Sequence, residues 1–239
     1  MSSLETRKIE PQSSTTVTLG EAGDTVLVSA DQLKTNTVKD AGGNTLFTSN
    51  GAGTLSSVNS AFVGSMDFIT SQTASASTSI AFTTQLTDAY DEYVFYFVDI
   101  NLSTDNQRFE FQVNASGQTG FNEVMTTTFF YARHSEAGTN GQLTYYTGGD
   151  QAQGTAYQNL GWVSNDADHS IIGELHLFNP SSTTYVKQFN SRTGWNNDTD
   201  GMMDGYIAGY INTAAAITEI DFKVQAGTFD GTIYLYGIN

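Results

Sequence analysis

Arg108-Phe109-Glu110-Phe111-Gln112-Val113-Asn114 alternates polar and apolar side chains at every step. Successive side chains of an extended strand point to opposite faces, so Phe109, Phe111 and Val113 share one face, and the polar residues share the other. Such a strand has one side in a core and the other in water. The same pattern returns as Glu219-Ile220-Asp221-Phe222-Lys223-Val224-Gln225, and more briefly around Ile80 and Phe82. Sustained i, i+3, i+4 apolar series are nearly missing, while Thr, Ser, Gly, Tyr, Phe, Val and Ile dominate. These are residues of pleated surfaces and tight turns, and the fold class they define is all-β.

About nine to eleven strands are expected between residues 78 and 239. Turn clusters such as Asn114-Ala115-Ser116-Gly117, Tyr146-Thr147-Gly148-Gly149 and Asp230-Gly231 separate them. That number and spacing predict an antiparallel, jelly-roll-like β-sandwich. Two strands, Tyr93-Val94-Phe95-Tyr96-Phe97-Val98 and Ile233-Tyr234-Leu235-Tyr236-Gly237-Ile238, are apolar on both faces. A sandwich strand needs only one apolar face. The rows Tyr93/Phe95/Phe97 and Tyr234/Tyr236 are therefore expected to point outward, under a loop, the stem or, by preference, another subunit.

Residues 1–60 read differently. Short runs at Thr16–Leu19, Thr25–Val28, Thr45–Phe47 and Thr54-Leu55 are each bounded by glycine, and a loose Gly-x-Thr-[Val/Leu] unit recurs at irregular spacing. Strands this short carry too few apolar side chains to form a core. Either the segment lies on the following domain, or three copies pool their thin apolar faces as a stem; the second is preferred. Residues 61–77 read as a junction whose Ser/Ala/Thr run is featureless, and residues 78–239 as the sandwich.

Nine Lys and Arg stand against twenty-five Asp and Glu, a net charge of −16. Four of the nine, Arg7, Lys8, Lys34 and Lys39, fall in the first 39 positions, so the body is more acidic still. Such a surface repels phosphate backbones and makes nucleic acid a poor partner. With no cysteine, disulfides, thiolate metal sites and thiol catalysis are excluded. No run approaches the roughly 20 apolar residues that span a membrane as a helix, so no membrane insertion is expected. The opening MSSLETRKIEPQ lacks the apolar core of a secretory signal.

The Gly-x-Thr stem turns, followed by a sandwich ending in Gly231-Thr232-Ile233-Tyr234-Leu235-Tyr236-Gly237-Ile238, resemble fibre-type virion structural proteins of tailed bacteriophages, of the marine or cyanobacterial type. The resemblance implies a homotrimer made in the host cytoplasm and carried on the virion. Its N-terminus would dock on other virion proteins of the tail or capsid, and its sandwich would point outward. It implies no catalytic residues and no cofactor. The expected role is a tail fibre or tail accessory protein that attaches to host-surface glycan. The alternative is a capsid decoration or head-fibre protein with a mechanical or display role and no specific ligand. Arg7 and Lys8 are the virion-anchoring candidates, as cations suited to an acidic socket.

Site chemistry is sparse. His134, His169 and His176 show no metal-ligand spacing, and the last two are expected on opposite faces of one strand, roughly 23 Å apart. No Gly-x-Ser-x-Gly elbow, phosphate loop or zinc signature occurs. In Trp195-Asn196-Asn197-Asp198-Thr199-Asp200-Gly201-Met202-Met203-Asp204, the oxygens of Asn196, Asp198, Asp200 and Asp204 are spaced as in a calcium loop. Ile207 stands where the bidentate glutamate belongs, so an ordinary polar loop over 191–205 is the preferred reading. Trp195 beside Asn196, Asn197, Asp198 and Asp200, with Tyr145 and Tyr146, forms the receptor-binding candidate. Aromatic faces stack on a pyranose while amides and carboxylates bond its hydroxyls. Tyr157 and Trp162 are further candidates, and core or subunit packing is the competing reading for each ring.

Overall fold

The computed structural model describes residues 35–59 and 65–239. The chain divides into two compact units, Met1–Phe62 and Val63–Asn239. Thr16–Leu19, Thr25–Val28, Arg7 and Lys8 lie outside the described residues.

In the first unit, β1 (Thr37–Lys39), β2 (Thr45–Ser49) and β3 (Leu55–Val58) form an antiparallel sheet in that order. Polar side chains close its turns. Asp40 Oδ1 accepts from the Asn44 amide at 2.8 Å, and Asn50 Oδ1 accepts from the amides of Ala52 and Thr54. None of this unit's described side chains is buried, as its thin apolar content requires.

The second unit is a two-layer antiparallel sandwich. Its strands are β4 (Met66–Ser77), β5 (Ser79–Phe82), β6 (Glu92–Leu102), β7 (Gln107–Ala115), β8 (Met125–Ser135), β9 (Gln142–Tyr145) and β10 (Ala152–Gly154). There follow β11 (Gln158–Val163), β12 (Ile171–Phe178), β13 (Lys187–Asn196), β14 (Gly201–Ile211), β15 (Ile217–Val224) and β16 (Phe229–Ile238). The smaller sheet has the order β11-β7-β15-β5. The larger has the order β10-β8-β14-β13-β12-β6-β16-β4, with β9 also on β8. The pairings are nested: β4 lies on β16 while β5 lies on β15, and β6 lies on β12 while β7 lies on β11. Strands β8–β10 and β13–β14 are insertions that widen the larger sheet.

The alternating strands pack as their period demands. Phe109 of β7 and Phe222 of β15 meet Phe97 and Phe95 of β6, with ring centroids 5.2 Å apart for Phe97–Phe109 and for Phe95–Phe222, and Phe111 of β7 packs beside Phe222. All five rings are essentially inaccessible to solvent. Each contributes about 1.5–3 kcal/mol by leaving water, and the edge-on contacts add to that.

The structure corrects three expectations. Tyr93, Phe95 and Phe97 face inward, and the outward row of β6 is Val94, Tyr96 and Val98; Tyr234 and Tyr236 do point outward. Residues 66–77 of the expected junction are β4, an edge strand paired along β16. Its small side chains hid it, because an edge strand held by backbone bonds needs few apolar anchors. The expected 191–205 loop is the hairpin of β13 and β14, joined by a short turn at 197–200.

Candidate functional site

The receptor-binding candidates do not converge. Trp195 is 1% exposed and faces the interior from β13. Its ring centroid lies 5.0 Å from that of Trp162 and 6.4 Å from that of Phe129. Glycines make the room: a Cβ on Gly205 would stand 2.7 Å from the indole, and one on Gly161 3.0 Å. Tyr146 packs half-buried against Phe129 and Trp162, and the Tyr157 hydroxyl donates to Asp221 Oδ2 at 2.9 Å. Tyr145 remains in the open, 58% exposed. Asn196 is half-buried at the end of β13, and Asp198 and Asp200 are exposed in the turn.

The calcium arrangement does not assemble either. Asn197 Oδ1 closes the turn by accepting from the Gly201 amide at 2.9 Å. Both oxygens of Asp204 are taken by Arg192, whose Nε and Nη2 donate at 3.0 and 2.9 Å. Asp200 instead approaches Asp166 and His169, with one ligand atom of each within 4.8 Å of the others. His169 thus sits in the loop before β12, beside carboxylates that sequence spacing had not brought near it.

What the fold builds is a groove on the outer face of the larger sheet. It spans β16, β6, β12, β13 and β14, with a volume of about 850 Å³. Tyr234, Tyr236 and Tyr96 form one flank, and Glu174, Arg192 and Asp204 the other. Val98, Ile172 and Met202, each at least 40% exposed, supply apolar surface between them. The Tyr96 and Tyr236 rings meet edge-on at 5.7 Å. Burial, and then the neighbouring Glu174, push the Tyr96 hydroxyl's pKa up, so it stays a neutral donor.

Register turns this groove into part of a longer row. Directly opposed residues run Tyr234, Tyr96, Glu174, Arg192, Tyr206, Phe130 and Tyr145 across β16, β6, β12, β13, β14, β8 and β9. Phe130 and Tyr206 stack in parallel at 5.1 Å, and the Arg192 guanidinium lies 5.1 Å over the Tyr206 ring. Sequence reading placed Tyr145 and Tyr234 among exposed aromatics. It missed Tyr96, Glu174, Arg192 and Tyr206, because a cross-strand row depends on six registers that no local pattern encodes. The one available signal was the outward parity of Tyr96 within β6.

A second polar cluster lies on the outer face of the smaller sheet. Lys223 Nζ stands 3.8 Å over the Tyr157 ring and 3.6 Å from Glu110 Oε1. Burial raises the pKa of both Asp221 and Glu110, against the opposing pull of Tyr157 on the first and Lys223 on the second. Among the described residues, no helix is long and apolar enough to cross a membrane.

No protein-family model matches the chain, and no curated protein matches it in sequence.

Proposed function

We propose that this chain is a structural protein of a tailed-bacteriophage particle, a trimeric tail-fibre or tail accessory protein that attaches to host-surface glycan through its sandwich. The observation that carries the attachment role is the open row of tyrosines flanking Glu174, Arg192 and Asp204. Flat aromatic faces beside hydrogen-bonding charged groups suit the two-sided chemistry of a pyranose. Both oxygens of Asp204 are held by Arg192, which supports binding over acid–base catalysis. The nested strand order supports the jelly-roll reading, four strands to a layer with an inserted extension. The uncored three-stranded unit supports a stem that pools its apolar faces with two other copies.

The decoration or head-fibre reading draws on a different observation. Phe68 and Leu143, 58% and 72% exposed, offer apolar surface that a capsid neighbour would cover. One experiment separates the two: labelled protein is imaged on particles and, in parallel, tested for adsorption to host cells. Tail labelling with saturable adsorption supports attachment. Labelling over the capsid without adsorption overturns it in favour of decoration. Deleting residues 2–12 should leave folded protein that no longer joins particles, and normal incorporation would remove Arg7 and Lys8 from the anchoring role.

A further inference from the structure

We infer that the row from Tyr234 to Tyr145 binds an internal stretch of a linear oligosaccharide that is uncharged or amine-bearing, laid across the strands. This rests on the glycan-attachment reading and adds the ligand's class and direction.

Length comes first. Seven directly opposed residues make six inter-strand steps, and at about 4.8 Å a step the row is roughly 29 Å long. That is far more than one sugar ring occupies. Aromatic side chains hold both ends: Tyr234 and Tyr96 at one, stacked Tyr206 and Phe130 with exposed Tyr145 at the other. The hydrogen-bonding charges lie between them. The Tyr206 ring is covered by Phe130 and Arg192, so a chain crossing the strands would stack on exposed Tyr145 at that end, on Tyr234 and Tyr96 at the other, and bond through its hydroxyls in the middle. It would meet the sheet at its internal units, because the row lies on an open face.

Charge comes second. Arg192 is the row's one cation, and Asp204 already holds it through two hydrogen bonds. Glu174 is the surplus charge; its nearest basic partner is His176 Nε2 at 3.6 Å, and that imidazole is shared with Glu92. The middle of the row therefore carries net negative charge, on a chain whose total is −16. Uronate- or sulfate-bearing glycans are repelled there, while hydroxyls are accepted and amines attracted.

The floor comes third. Gly194 points outward beside the Glu174–Arg192 step, and a Cβ there would stand 2.9 Å from Met202 Cε and 3.7 Å from Ile172 Cγ1. Its missing side chain keeps the centre of the row concave. Gly194 has no left-handed φ, so a larger residue fills the groove without straining the backbone.

The test uses the full chain on a printed array of oligosaccharides of graded length in uncharged, amine-bearing and uronate-bearing series, followed by calorimetry on the hits. Affinity should rise about tenfold or more from single sugars to short oligomers in the first two series. The uronate series should stay unbound. Gly194→Leu should cut binding about tenfold with an unchanged melting temperature, and Glu174→Lys should admit uronates. Length-independent binding, or a preference for uronates in the unaltered protein, overturns this inference and leaves the glycan reading standing. Binding to no glycan at all overturns both. If Gly194→Leu instead changes the mass measured by light scattering, the row is a contact between copies and the inference fails.

Discussion

Trp195 shows how a residue's neighbours mislead. Asn196, Asn197, Asp198 and Asp200 follow it, and in sequence that company reads as a loop. The inward positions of β13 before it are Lys187, Phe189, Ser191 and Thr193, too polar to announce a buried face. Ser191 and Thr193 are buried because their hydroxyls donate to the carbonyls of Glu174 and Leu160. Gly161 and Gly205, which make space for the indole, look like turn residues in sequence. Trp195→Ala should therefore cost about 3–5 kcal/mol in a urea melt. Trp195→Phe should recover most of that loss, since the indole Nε1 has no hydrogen-bond partner to lose. A melt unchanged by the alanine variant would return Trp195 to the surface. A second test concerns Asp221 and Glu110, whose folded-state pKa values burial raises above the ordinary 3.8 and 4.5. A carboxyl raised in this way contributes stability that is full below its unfolded value and is lost as pH rises through its folded value. Acidification from neutral pH down to the ordinary carboxyl values of 3.8 and 4.5 should thus stabilise the wild type relative to Asp221→Asn plus Glu110→Gln. A difference that stays flat across that window would contradict the burial.

At the level of elements, the alternating strands β7 and β15 were fully legible, because period two is a local property. The edge strand β4 was not, and neither was the two-faced logic of β6. There a bulge intervenes: Asp99 has a φ of +53°, and after it Ile100 and Leu102 return to the core. The partner strand allows this through Gly231, at a φ of +125°, where a Cβ would stand 2.5 Å from the Asp99 carbonyl oxygen. The Asp230-Gly231 pair was read as a turn between strands, yet it lies inside β16 opposite the bulge. Gly231→Ala should lose about 1–3 kcal/mol by denaturant titration, from the strained φ and the backbone collision together. Gly43, at a φ of +84° but with open space around its α-carbon, should lose only the backbone-strain share of that cost on the same change.

Across the whole molecule, the all-β class and the antiparallel sandwich were readable from composition and period, whereas the binding row was not. A row is a property of strand order and register, and both depend on contacts between residues far apart in the chain. The trimer remains the proposal with the widest reach, since the uncored first unit calls for partners. Light scattering on purified protein should return about three times the chain mass of 25.8 kDa. A folded species at the single-chain mass at micromolar concentration would overturn it.

The position of β16 sets a timetable for biosynthesis. It lies between β6 and β4, so the larger sheet is split until the last strand of the sandwich arrives. From Leu102 at the end of β6 to Ile238, the ribosome must add another 136 residues, about 7–27 s at ordinary elongation rates. Throughout that interval the nascent chain carries Tyr93, Phe95 and Phe97 on a strand with a vacant edge, which is the hazard that holding chaperones exist to cover. The larger sheet therefore cannot close before β16 has been made, and a chain stopped at Thr228 should accumulate as insoluble aggregate while the chain that includes β16 stays in solution.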